Sequence, residues 1–288
     1  MDQFPSGYDE ALAVVEARCG SAFRLREVTS RRGAVVWEAA GADGRFAVKI
    51  GTGDGAGAVS RETEVLRALG WTGHLLAAGR GPDSAWLVAR WFEGPSTWDA
   101  FASFRENSSG RRAGLDAAVQ LCRTVDGLHG LGWVHADLQP DHGIHTGGGV
   151  RLIDLAWSWR EGMRPPPVTG VGIDHLVPPE VALRGAGDLP LDAGRAADVY
   201  TLAATLWTCV TGTWPLDYPA AGVSPEHLTS DQLRAQIATG RIPLRAAAPW
   251  PEVQGVLREV LLSAPGDRPS ARELATNVER SASGPAGR

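Results

Sequence analysis

The sequence predicts an α+β chain in which a small antiparallel β-sheet lobe carrying one helix is followed by a larger, mainly helical lobe. Three observations lead there. Between Ala22 and Ile50, short runs rich in Val, Phe and Trp are separated by turn-forming clusters, the pattern of hairpin-linked antiparallel strands. Beyond Gly94 the apolar residues recur with helical spacing. The chain has 288 residues, 43% of them apolar, which is enough for a two-lobed core.

In chain order, residues 1–21 are expected to form an N-terminal helical extension and residues 22–94 the sheet lobe with its hinge. The strands break at Arg31-Arg32-Gly33 and at Gly41-Ala42-Asp43-Gly44, where glycine and polar residues favour tight turns. Ser60 is the N-cap candidate of a helix running to Leu69, with Glu62, Val65, Leu66 and Leu69 on one face. Leu75–Ala78 and Ala85–Trp91 complete five strands. Residues 95–278 form the second lobe, with helical patterns at 114–131, 196–211, 230–238, 252–262 and 271–278. Residues 279–288 are mostly small or polar and are expected to be disordered.

The bulk properties exclude several classes. A net charge of −5 and the lack of a basic stripe argue against nucleic acid as a partner, since phosphate neutralisation needs a surplus of cations on one face. Cys19, Cys122 and Cys209 are far apart and odd in number, so neither a disulfide framework nor a zinc site is expected. The longest apolar stretch, Val199–Val210, contains three threonines and a tyrosine and falls short of a membrane span. With no basic region and apolar run at the start, the expectation is a soluble, cytoplasmic protein.

Of the 28 lysines and arginines only one is lysine, Lys49, in Phe-Ala-Val-Lys-Ile. Further on stand His135-Ala136-Asp137-Leu138-Gln139-Pro140-Asp141-His142 and then Val-Arg-Leu-Ile-Asp154-Leu-Ala. Pro178-Pro179-Glu180, the segment from Asp198 to Trp207, and Gly266-Asp267-Arg268-Pro269 follow. In this order, from Leu25 to Val278, these clusters resemble the bacterial eukaryotic-like (Hanks-type) Ser/Thr protein kinases, a bilobal fold. The last three separate that family from antibiotic phosphotransferases, which share the earlier ones.

The resemblance implies roles. Lys49 would hold the phosphates of ATP and Glu62 would orient it, with Glu64 the alternative partner if the helix register differs. Asp137 would accept the proton of the attacking hydroxyl, and Asp154 would bind Mg²⁺, or Mn²⁺. Glu180 and Arg268 would form a buried structural pair. Ser30, Arg31 and Gly33 fall in the phosphate-covering loop, and Ala89, Trp91 and Phe92 at the adenine pocket and inter-lobe hinge, where the small Ala89 leaves the pocket open.

The chain also departs from that pattern. Val28-Thr29-Ser30-Arg31-Arg32-Gly33 keeps only the last glycine of the phosphate loop, so Ser30 and the arginines would donate in place of bare backbone. His142 replaces an asparagine at the metal, and imidazole suits magnesium poorly. The neighbouring His135 and His145 are read as hydrogen-bonding groups rather than zinc ligands. Ala136 replaces the arginine that reads a phosphorylated loop, so control through Thr169 by charge pairing is not expected. Gln139 replaces a lysine, and Leu155-Ala156 replaces Phe-Gly. Trp157 and Trp159 are read as core packing or as an aromatic floor for a peptide. The expected function is ATP-dependent phosphotransfer to a Ser or Thr hydroxyl of a protein, or of a peptide in a dedicated biosynthetic pathway. The alternatives are a pseudokinase scaffold that binds nucleotide weakly or a protein partner, and a small-molecule hydroxyl kinase.

Overall fold

The computed structural model describes residues 7–20, 22–71, 73–107, 109–163, 173–182, 190–246 and 248–282. Thr169 lies outside them. The chain divides into two compact units: one runs to Phe92 and takes back Asp154–Trp157, and the other holds Glu93–Ile153 and everything from Ser158 onward. The architecture is the α+β arrangement the sequence predicts, a five-stranded antiparallel sheet followed by a larger helical part, as in a bilobal kinase-like fold.

The first unit begins with α1 (Tyr8–Cys19), followed by β1 (Phe23–Arg31), β2 (Ala34–Gly41) and β3 (Gly44–Thr52). Then come α2 (Asp54–Leu69), β4 (Leu75–Arg80) and β5 (Ser84–Arg90), and the strand order in the sheet is β1-β2-β3-β5-β4. Alternate residues along each strand face opposite ways. Trp37, Ala39, Val48, Ile50 and Val88 therefore pack under Ala11, Val15 and Cys19 of α1. Ala85 and Leu87 face the other way, against Val59 of α2. The N-terminal helix is thus one layer of this unit's core, with Val15 fully buried.

Helix α2 starts six residues before the Ser60 cap expected from sequence. The run Gly51-Thr52-Gly53-Asp54-Gly55 reads as a loop, because glycine is a poor helix former. In the fold, Gly53 takes the N-cap at φ 53°. A Cβ at Gly55 would sit 2.1 Å from the Gly33 carbonyl oxygen, and one at Gly51 would sit 2.2 Å from the Gly55 oxygen. Three backbones touch there, so the glycines permit a close approach that begins the helix early.

The second unit contains α3 (Thr97–Ala100), α4 (Ala102–Asn107), α5 (Arg111–Gly130) and β6 (Trp133–Val134). The hairpin β7 (Gly143–Thr146) and β8 (Gly149–Leu152) follows, then β9 (Trp159–Arg160) and α6 (Pro179–Ala182). It closes with α7 (Leu191–Thr211), α8 (Ser230–Ala238), α9 (Pro251–Leu262) and α10 (Ala271–Ala282). Helix α7 is apolar around most of its circumference, the mark of a central helix, and α9 packs along it while α10 packs along α5. Trp159 is buried beside β6, a core role, whereas Trp157 is half-buried in the other unit.

Arg268 forks onto Glu180 at 2.5 and 3.0 Å, donates to the Ala196 carbonyl at 3.1 Å, and lies over the Tyr200 ring. The pair ties α6 to the segment before α10. One expectation is corrected here: residues 279–282, placed in a disordered tail on composition, complete α10, where Glu279 pairs with Arg123 of α5 at 2.9 Å. Small and polar residues in that turn are helical because their neighbours Leu274, Ala275 and Val278 dock against the core.

Candidate active site

In the first unit, β3 carries Lys49 on the face toward α2, and α2 carries Glu62 on its inward face. Lys49 Nζ donates to Glu62 Oε2 at 2.7 Å and also to Asp154 Oδ1. Glu64, the alternative partner, is 61% exposed and lies 3.9 Å from Arg80, so the helix register selects Glu62. Burial alone would push the Lys49 ammonium down in pKa. The two carboxylates and their hydrogen bonds outweigh that and hold it above its ordinary value, so it stays charged.

Asp154 has φ 59°, a left-handed conformation that costs a non-glycine residue about 1–3 kcal/mol. The single turn Leu155–Trp157 that follows buries Leu155 and Ala156 and packs against α2. Its carboxylate is thereby pointed at Lys49 while its side chain stays 35% exposed.

The loop expected to cover the phosphates is a two-residue hairpin turn. Arg31 pairs with Ala34, and Arg32 and Gly33 both take positive φ, the geometry of the tight primed turns that match strand twist. The Thr52 N–H donates to the Gly33 carbonyl at 2.8 Å and ties the turn to the end of β3. Ser30 and Arg31 are exposed beside it. Near the end of β5, Ala89 pairs across the sheet with Ala47, both on the face of Lys49. Trp91 donates its backbone N–H to the Arg45 carbonyl under the Arg45 guanidinium, and Phe92 lies 4.7 Å from the His74 ring.

In the second unit the loop from His135 to His142 is built around Asp137, which is 8% exposed. The Asp137 N–H donates to His135 Nδ1 at 3.3 Å. His135 Nε2 in turn donates to the Ile153 carbonyl at 3.2 Å, so both ring nitrogens are used and the imidazole is neutral. The Asp137 carbonyl accepts from His142 Nδ1 at 2.7 Å, and Asp137 Oδ1 accepts from Gln139 Nε2 at 2.6 Å. His145 is engaged elsewhere, with Thr97 Oγ1 at 3.0 Å.

Beneath the loop, Asp198 of α7, 1% exposed, accepts from the backbone N–H of His135 at 2.7 Å and of Ala136 at 2.8 Å, and contacts His129 Nε2 at 3.0 Å. Ala136 is left-handed at φ 62°, a conformation this clamp sustains. Sequence reasoning assigned Asp198 only to the start of a helical motif and gave Gln139 no hydrogen-bonding role. For Asp198 the signal was present: an aspartate inside an otherwise apolar helix must find buried donors. For Gln139 there was none.

Among the described residues, no three or more His, Cys, Asp or Glu side chains gather into a self-sufficient metal cage. A cation held by Asp154, or one held by His142, would draw its other ligands from phosphate and water, as magnesium does at phosphoryl-transfer sites. The donor types fit such a role. Asp154 offers a hard carboxylate, and His142, with its proton on Nδ1 toward a backbone carbonyl, has the tautomer that metal-bound imidazoles adopt.

No protein-family model matches the chain. It is 25% identical over 217 residues to a probable serine/threonine-protein kinase of Dictyostelium discoideum, covering 72% of this chain and 14% of that protein. It is 23% identical over 214 residues to ribosomal protein S6 kinase 2 alpha of Xenopus laevis, covering 70% of this chain and 27% of the relative. With sperm motility kinase Z of Mus musculus the identity is 34% over 98 residues, 34% of this chain and 19% of the relative. The chain thus spans less than a third of the length of these curated relatives, and what it is similar to, over most of its own length, is protein kinases.

Proposed function

We propose that this chain is an ATP-dependent phosphotransferase that moves the γ-phosphoryl group to a Ser or Thr hydroxyl of a protein, or of a peptide in a dedicated biosynthetic pathway. The observation that carries this reading is the buried, permanently charged Lys49 held by Glu62 and Asp154. An ammonium sequestered with two carboxylates is an expensive arrangement to keep for stability alone. Phosphate binding gives it a use.

In this reading Lys49 holds phosphate oxygens, Glu62 orients Lys49, and Ser30, Arg31 and the backbone at Gly33 border the phosphates. Ala89, Trp91 and Phe92 border the base. Mg²⁺ or Mn²⁺, held through Asp154 and His142 together with phosphate oxygens, would neutralise the charge that develops in transfer. The acceptor oxygen forms a bond to the γ-phosphorus as the bond to the diphosphate breaks. ADP leaves with that electron pair, and the acceptor proton goes to the Asp137 carboxylate.

A second reading, a pseudokinase scaffold, is favoured by the short β1–β2 turn and by the loss of a cation at Gln139. Melting curves with ATP and either metal separate the two. A ligand at a hundred times its dissociation constant stabilises the fold by about 2.7 kcal/mol, and Lys49→Ala should remove most of that shift. Transfer of labelled γ-phosphate should fall by about 10²–10⁴ in Asp137→Asn, the usual worth of a general base, with ATP binding retained. A flat melting response at millimolar ATP leaves the scaffold, and an active Asp137→Asn rejects Asp137 as the base.

A further inference from the structure

The sheet of the first unit ends in two edge strands, and they differ. β1 carries Arg24, Arg26, Glu27 and Arg31, and a bulge between Glu27 and Thr29 interrupts it mid-strand. Charges and a central bulge are how natural sheets guard an edge against further pairing. β4 reads Leu-Leu-Ala-Ala-Gly-Arg, with one charge at its end and its bulge at its start, between Leu75 and Ala77. Among the described residues β4 pairs with β5 alone, so the other side of its main chain has no strand partner. An open groove of about 350 Å³ lies between β4 and α2, lined by Ala78, Gly79 and Arg80 of the strand and by Ser60, Glu64 and Arg67 of the helix. A Cβ at Gly79 would lie 2.5 Å from the Trp86 indole, so the indole keeps this position bare and the main chain of the strand meets the groove. The rim carries two guanidiniums against one carboxylate. Arg80 is loosely held, with Nε on Ser60 Oγ at 3.1 Å and a terminal nitrogen 3.9 Å from the exposed Glu64. The exposed Arg67 guanidinium makes no hydrogen bond or ion pair with any described residue.

We propose that β4 is a docking edge for an extended acidic peptide of a partner protein, which adds to the five-stranded sheet as a further strand. Main-chain hydrogen bonds to β4 supply the affinity, and alternate side chains of the peptide, on the α2 side, set a carboxylate against Arg67 and Arg80. The open groove suits a chain that enters and leaves it, and the surplus guanidinium favours an acidic occupant over a basic one. The docking edge stands independently of phosphoryl transfer.

The test uses the full chain and a fluorescent probe, a short peptide alternating threonine and glutamate, because strand addition reads the main chain and tolerates the sequence. At low salt the peptide should bind, and amide-exchange protection should rise at alternate residues of Leu75–Arg80 and not along β1. Arg67→Ala should weaken binding by about tenfold, the loss of one charge-assisted hydrogen bond. Alanine at an exposed helix position keeps the fold. N-methylation of alternate probe residues removes peptide donors without touching the protein. It should abolish binding when it falls on the edge facing β4 and spare it when it falls on the other. No binding at millimolar peptide, undiminished binding to the chain carrying both Arg67→Ala and Arg80→Ala, or equal binding by the two methylated probes overturns the inference. So does protection of β4 that rises with protein concentration alone, which makes a second copy of the chain the occupant.

Discussion

The Lys49 cluster and the Asp137 cluster are built by opposite physics. Lys49, Glu62 and Asp154 come from a strand, a helix and a turn far apart in sequence, and they are joined by attraction between full charges. Within its own loop Asp137 is engaged by hydrogen bonds from near neighbours, with Asp198 anchoring the backbone from below. A charged cluster tolerates angular error, because Coulomb attraction falls slowly with distance, and that would suit the group proposed to grip phosphates of varying pose. A hydrogen-bonded cluster is directional, and that would suit the carboxylate proposed to meet one proton.

The difference can be broken from the helical side first. Asp198→Ala would strand two backbone donors and the His129 ring in the core. At about 1–3 kcal/mol for each buried donor left unmet, the loss should reach about 4–6 kcal/mol, enough to lower the melting temperature severely. Asp198→Asn, which keeps one acceptor oxygen, should cost clearly less. Equal melting temperatures for the two variants would show that the clamp is not what holds the loop.

On the sheet side the test is Glu62 against Glu64, two residues apart on α2. Glu62→Ala removes one carboxylate from a buried ammonium and should destabilise by about 3 kcal/mol, the low end for a broken buried pair, because Asp154 still faces Lys49. Glu64→Ala removes an exposed side chain and should stay within about 0.5 kcal/mol. Urea midpoints compare the two directly, and similar values would mean that the Lys49–Glu62 pair contributes little.

Acid should separate the units by a smaller, ordered effect. Burial holds His145 and His175 of the helical unit below the ordinary histidine value of 6.5, with Asp174 pulling His175 weakly the other way. The unfolded chain takes up those protons first as the pH falls, so their contribution is complete above 6.5 and is lost toward each lower folded value. In the sheet unit, burial alone would raise the Glu38 carboxyl. The Arg45 and Arg26 guanidiniums outweigh burial and hold it below its ordinary 4.5, so its contribution is lost only below that. Amide exchange during acidification should therefore rise first around Thr97 and Tyr218 and only later along β1–β3. Simultaneous loss of protection, or the reverse order, would refute the assignment.

Much of this was legible in the sequence because it is local. Short apolar runs broken by turn-forming clusters placed the five strands, helical spacing placed α5 and α7–α10 to within a few residues, and the order Lys49, Asp137, Asp154, Glu180, Arg268 marked the residues worth following. What local pattern could not show was any outcome set by the approach of distant segments. The early start of α2 depends on Gly55 lying against Gly33, a contact that overrides the poor helix propensity of glycine. The choice of Glu62 over Glu64 depends on which side of α2 faces β3, and the helical state of residues 279–282 depends on α5 being there to receive Glu279. The sequence by itself determined which side chains could do chemistry, because residue type and spacing are written in it. Tertiary structure alone decided their partners, tautomers and charge states, from the Lys49 triad to the Gln139–Asp137 bond, because those follow from burial and from distances between chain segments that no residue specifies alone.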